Sequence, residues 1–333
     1  MNIKNLFKIT KLENSVQNID NRNYSLEFLR FFAATCIVFV HMPNIDIADF
    51  GVDLFFILSG FVMMLSTDNS SKNFFIKRII RIAPLYYLST IVVFIIALIK
   101  PSLLVTTTSD IFLLIKSFLF IPFDKENTGH NPVLFVGWTL NYEMYFYLLF
   151  AIALKISLKY RDIVTTLFLS AIYLFTQKSN SLPLSAYSLN IIFEFSVGLM
   201  MYRIFISKNY IKAFILFLII GVSLFINNDF YGRFYEFGIG SALFFMFVII
   251  FLPKIKIPKI VIVLGGYSYA MYLIHFFIIQ FFDKLTGWFF MTIYHQLFIF
   301  IISLFFVNLI SFVVWRFLEI PMNTFLRNKI KQL

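Results

Sequence analysis

An all-helical, polytopic membrane bundle is the fold class this sequence predicts, and three observations predict it. Hydrophobic residues fill 60% of the 333 positions and charged residues only 14%. A soluble domain carries roughly 45–50% and about 25% of each. Apolar runs divided by short polar breaks recur about ten times along the chain, the pattern of successive membrane spans. Lysine and arginine then alternate in density from one break to the next.

The ten runs lie near 28–42, 51–66, 84–100, 138–155, 163–176, 187–206, 211–226, 234–252, 264–283 and 294–318. The first opens on Arg30 and closes on His41, and the second carries Asp53 near its start. A basic amphipathic stretch, Ser71–Tyr87, precedes the third, setting Lys77, Arg78 and Arg81 among Phe74, Phe75, Ile79 and Ile80. Such a stretch is expected to lie on the membrane surface, with Pro84 opening the span that follows. The fourth run places Glu143 about a turn beyond Trp138. Glu194 lies in the sixth run and His275 in the ninth. A span needs roughly 20 residues, so the first, second and fifth runs are short for the task.

Placing the N-terminus in the cytoplasm puts 22 of the 28 lysines and arginines on the inner side. Five fall outside (Lys116, Lys125, Lys178, Arg233 and Lys284), and Lys100 sits at a boundary. This is the positive-inside bias. The net charge of +11 is thus topological, and nucleic acid binding has no place in the account. Both termini are expected in the cytoplasm. A polar extension over 1–23, one transmembrane domain over 24–325 and a basic tail over 326–333 are the expected divisions. Residues 1–23 lack the apolar core of a signal peptide. The single cysteine, Cys36, excludes an intrachain disulfide. No HExxH, GxxxxGK[ST] or GxGxxG motif occurs, and no metal site is expected.

Ionisable residues inside spans are costly and mark functional pathways. With this topology Arg30, Arg78 and Arg81 share the inner edge, while His41, Asp53 and Glu143 share the outer part. Arg30 and His41 are eleven residues apart, about 16 Å of helix rise. Glu194 is a secondary cavity candidate. His275 reads as structural, His130 and His295 as solvated, and the Ser59–Gly60 pair as a close-packing site.

These stretches together resemble the acyltransferase 3 family of bacterial membrane O-acyltransferases. The resemblance rests on "YSLEFLRFFAATCIVFVH", "FGVDLFFILSGFVM", "FFIKRIIRIAPLYY", "GWTLNYEMYFY", "YSYAMYLIH" and "WRFLEIPMN", and covers residues 24–325. It implies transfer of an acyl group, most often acetyl, from cytoplasmic acyl-CoA to a hydroxyl of a surface polysaccharide or its lipid-linked precursor. It also implies a bacterial inner-membrane location and no permanently bound cofactor. His41 takes the place of the family's essential histidine. Arg30, Arg78 and Arg81 take those of its arginines, and Glu143 that of its acidic residue. On that expectation the arginines clamp the CoA phosphates. His41 acts as general base or as a transient acyl carrier, with Glu143 or Asp53 orienting the imidazole. The rival class is a non-enzymatic polysaccharide exporter or flippase.

Overall fold

The computed structural model describes residues 24–41, 50–68, 71–100, 109–123, 132–177, 184–227, 232–254, 258–287 and 292–331. The expected extension over 1–23 and His130 lie outside them. Among the described residues the regular structure is helical throughout. The principal helices in chain order are α1 (Tyr24–Val40), α2 (Gly51–Ser66), α3 (Phe74–Ile99), α4 (Ile111–Phe118), α5 (Trp138–Ile156), α6 (Arg161–Thr176) and α7 (Phe193–Phe205). They continue with α8 (Tyr210–Ile226), α9 (Ile239–Phe251), α10 (Ile260–Gly266), α11 (Ser268–Thr286), α12 (Ile293–Val314) and α13 (Ile320–Lys331).

The expected count of ten spans is not what helix length and apolarity give. Three helical stretches among the described residues are long and apolar enough to cross a membrane: Phe74–Ile99, Phe234–Phe251 and Ile293–Ile330. The pair Ile260–Gly266 and Ser268–Thr286 makes a fourth if its 62° bend is one broken span. Gly51–Ser66 and Tyr210–Ile226 are apolar but shorter. A helix of 17 residues rises about 25 Å, less than a hydrocarbon core of roughly 30 Å. The outward face of Tyr210–Ile226 is nonetheless lipid-like, with Phe214, Phe217 and Phe225 all exposed.

Two boundaries also move. Pro84 sits inside α3 rather than opening it, so the basic stretch and the third span form one helix from Phe74 to Ile99. Membrane bundles tolerate such prolines because neighbouring side chains and local adjustment re-satisfy the backbone. At the other end α12 runs through a π turn, Trp315–Glu319, directly into α13. That turn brings Glu319 into the interior, and α13 packs against α3.

The bundle centre is the α2–α7 crossing, the most extensive helix contact in the fold. Gly60 and Gly198 meet there: a Cβ on Gly60 would collide with the Phe195 carbonyl, and one on Gly198 with that of Ile57. Small residues at such crossings let backbones touch. Gly60→Leu should therefore abolish accumulation of folded protein, measured by size-exclusion yield in detergent. Ser59→Ala, one residue away on another face, should not. Phe56, Phe146 and Phe195 stack around the crossing with ring centroids 4.3–4.5 Å apart. At one end of α2, Arg203 grips the buried Asp162 through two bonds of 2.5 and 2.8 Å. Arg161 there donates to the carbonyl of Met64.

Candidate functional site

A cavity open to solvent, with about 730 Å³ of empty space when the solvent at its mouth is included, runs beside α2. Val52, Phe55, Phe56, Ser59, Val62 and Met63 line it, a spacing that marks one face of a helix. From Val52 to Met63 that stripe covers about 16 Å. Arg30 and Ile37 of α1, Arg78, Arg81 and Ile82 of α3, and Thr139, Leu140, Glu143 and Tyr147 of α5 complete three walls. Ser268, Tyr269 and Tyr272 of α11 close the fourth. The wall is mostly apolar, with its charge confined to three guanidinium groups and one carboxylate.

The arginines expected together are together. Arg78 donates from Nη2 to Ser66 Oγ at 2.7 Å, and its guanidinium lies 5.4 Å from the Phe74 ring and 6.0 Å from that of Tyr147. Its Nε is buried and has no hydrogen-bond partner among the described residues. A buried cationic donor left unmatched is a standing site for an anion. Arg30 pairs with Glu27 at 3.1 Å one turn back on its own helix. Arg81 faces the same cavity, within electrostatic range of Glu319.

Glu143 sits in this cavity with the arginines. Its Oε1 accepts from Ser59 at 2.8 Å and also from the hydroxyl of Tyr147. The Ser-Gly pair thus divides its labour, Gly60 packing on α7 and Ser59 facing the cavity. Higher in the wall, the Tyr272 hydroxyl donates to the Val136 carbonyl and bonds Thr139 at 2.6 Å.

Asp53 is fully buried and paired with Arg233 at 2.6 Å. Its carboxyl also lies within hydrogen-bonding reach of Glu194, which is buried beside Gly238. α2 begins deep beside α1, since Phe50 meets Phe32 at 6.1 Å and a Cβ on Gly51 would sit 2.6 Å from the Ala33 carbonyl. The start of α2, which also abuts Cys36 and Ile37, therefore lies between about one and two helical turns short of His41.

His41 follows the last turn of α1, its backbone N–H bonded to Val38. Arg30, Ile37 and His41 fall on one face of that helix, because eleven residues make about three turns. Ile37 lines the cavity, which places His41 one turn beyond its wall. The His41 ring packs against Phe276 at 5.1 Å and against His275 at 5.2 Å with a 32° tilt. His275 is fully buried, and its Nδ1 is 2.7 Å from the Tyr272 carbonyl. The sequence reading missed this neighbour; the one local signal is the Tyr272–His275 spacing, which joins the cavity wall to the histidine. His295, by contrast, is exposed and bonds Thr292 at 2.7 Å.

A family model described as an acyltransferase domain matches residues 23–316. The exopolysaccharide production protein ExoZ of Rhizobium meliloti (strain 1021) is 38% identical over 129 residues, 37% of this chain and 39% of that protein. The putative acetyltransferase ORF330 of Acidianus two-tailed virus is 30% identical over 164 residues, 46% of this chain and 47% of that protein. The chain thus spans less than half the length of either relative. No solved structure matches it.

Proposed function

The chain belongs to this acyltransferase family, and from that premise we propose that it moves an acyl group, most readily acetyl, from cytoplasmic acyl-CoA to a hydroxyl of a surface polysaccharide or its lipid-linked precursor. The polysaccharide acceptor is suggested by the relative that bears exopolysaccharide production in its name. The acyl group is suggested by the one described as a putative acetyltransferase. The bacterial inner membrane, with both termini cytoplasmic, is the location that fits the basic asymmetry.

One observation carries the reading: a long cavity with three arginines in its wall ends one helical turn from a histidine. CoA is a phosphate group, a thin pantetheine arm and a thioester in line. Arg30, Arg78 and Arg81 hold the phosphates through charge-assisted hydrogen bonds. The arm lies along the α2 stripe, past the polar group of Ser59, Glu143 and Tyr147, and presents the acyl carbon near Ile37 and Tyr272. His41 takes the proton of the acceptor hydroxyl as its oxygen bonds to the acyl carbon. The carbon–sulfur bond then breaks, and the proton passes to the departing thiolate. Asp53 acts at a distance from the reacting atoms, through its pair with Arg233.

Purified protein in lipid vesicles should release CoA from acetyl-CoA in an acceptor-dependent manner. A colorimetric thiol assay suits this chain, whose single cysteine, Cys36, is buried. Movement of glycan across the vesicle without any CoA release would replace the enzyme with an exporter. The orientation has its own test. Ser109→Cys, introduced with Cys36→Ala, should react with membrane-impermeant thiol reagents added outside intact cells. Labelling only after the membrane is breached would reverse the sidedness on which the cytoplasmic donor depends.

A further inference from the structure

His275 holds an unexplained feature. Its Nδ1 is within hydrogen-bond distance of two carbonyl oxygens of its own helix, Tyr272 at 2.7 Å and Met271 at 3.2 Å. A carbonyl only accepts, so Nδ1 carries the hydrogen and Nε2 is left with its lone pair. That Nε2 is fully buried and has no hydrogen-bond partner among the described residues. Buried polar atoms without partners are rare in folded chains, and each one asks for a reason.

The ring geometry supplies one. Because Nδ1 is tied back to α11, Nε2 lies on the ring edge turned away from that helix. α11 packs against α1, where the His41 ring centroid is 5.2 Å away. Imidazole nitrogens stand a little over an ångström from their ring centre. Two nitrogens turned toward each other across that gap come within about 3 Å, a hydrogen-bond length.

We infer that His275 is a positioning residue for His41: its Nε2 accepts the N–H of the His41 ring and leaves the other His41 nitrogen facing the acceptor hydroxyl with its lone pair. A base that must take a proton through one nitrogen needs the other held by an acceptor, the task a carboxylate performs in a triad. Here a neutral imidazole does it; of the carboxylates expected to serve, both among the described residues, Glu143 is engaged with Ser59 and Tyr147 and Asp53 with Arg233. The inference rests on the acyltransferase reading above for its kinetic consequence, though not for the bond itself.

Three substitutions separate the two nitrogens of His275. In His275→Gln the side-chain oxygen reaches the place of Nε2. In His275→Asn the amide N–H reaches that of Nδ1, and His275→Phe keeps only the ring volume. Acetyl transfer is measured at saturating acetyl-CoA in vesicles. Turnover within about 10-fold of wild type for Gln, with losses on the order of 100-fold for Asn and Phe, is the expected result. The KM for acetyl-CoA should stay unchanged in all three. Equal activity of Asn and Gln, or an active Phe variant, would reduce His275 to a packing residue.

A second measurement needs neither turnover nor a folded His275 variant. The chain has four histidines, and ¹⁵N-histidine labelling resolves their ring nitrogens by NMR. Replacing His41, which is half-exposed at a helix end, with Ala should shift the Nε2 resonance of His275 toward that of an unbonded nitrogen. An unmoved resonance overturns the inference. If wild-type protein releases no CoA, the acyltransferase reading fails and the spectrum still decides the bond.

Discussion

His41→Ala loses acylation by 10²- to 10⁴-fold, the span a positioned general base contributes, while its KM for acetyl-CoA stays within a few-fold of wild type. The two effects separate because His41 lies one turn beyond the cavity, packed on Phe276 and His275 rather than among the arginines. His41→Lys is nearly as defective: an ammonium keeps a charge but accepts no proton near neutral pH. Arg30→Ala differs in kind, raising the KM and leaving turnover at saturating donor. The check is radiolabelled acetyl transfer from acetyl-CoA, normalised to inserted protein. Near wild-type transfer by His41→Ala would move the chemistry to another group, and the Ser59–Glu143–Tyr147 set is then the place to look.

Much of this site is legible in the linear sequence, for a simple reason. Arg30 and His41 share one helix, and Arg78 and Arg81 share another, so helical periodicity alone fixes their faces. The same holds for Glu143 and Tyr147, four residues apart on α5 and bonded in the structure. What was not legible joins distant segments. Ser59 meets Glu143 across 84 positions, and no local pattern announces it. Arg233 pairs with Asp53 across 180 positions, in a part of the bundle that depth bookkeeping had merged with His41. His275 reads as an ordinary mid-helix histidine until α1 is laid beside α11.

The fold shows the same division. Apolar runs report which residues avoid water, and every expected run is helical over most of its described residues. They do not report helix length. A run such as 264–283 breaks at Tyr267 with a 62° bend, while 294–318 continues through a π turn for another helix. Backbone bonds decide these breaks, and in a membrane bundle those bonds are satisfied by neighbours that a sequence window does not contain.

Arg78→Ala and Arg81→Ala each raise the KM for acetyl-CoA about 10- to 100-fold, with turnover at saturation held within a few-fold. The magnitude follows from losing a hydrogen bond to a charged group, about 1.5–3 kcal/mol. Arg78 already spends Nη2 on Ser66 and stacks near Phe74 and Tyr147, which fixes its plane. Its buried Nε has no partner among the described residues, and on the proposed reading a phosphate oxygen supplies one. Arg78→Lys keeps the charge but not the flat fork, so it recovers only part of the affinity. Ser66→Ala frees the guanidinium from its anchor and should fall between wild type and Arg78→Ala. Salt gives an independent reading: raising ionic strength screens the phosphate contact, so the wild-type KM climbs more steeply than that of either Ala variant. Dephosphorylating the 3′ position of the donor should cost wild type affinity and cost one of the two variants much less, naming the arginine that holds it. If both Ala variants keep the wild-type KM and its salt dependence, the three arginines are not a phosphate clamp, and the cavity binds its donor through the apolar α2 stripe alone.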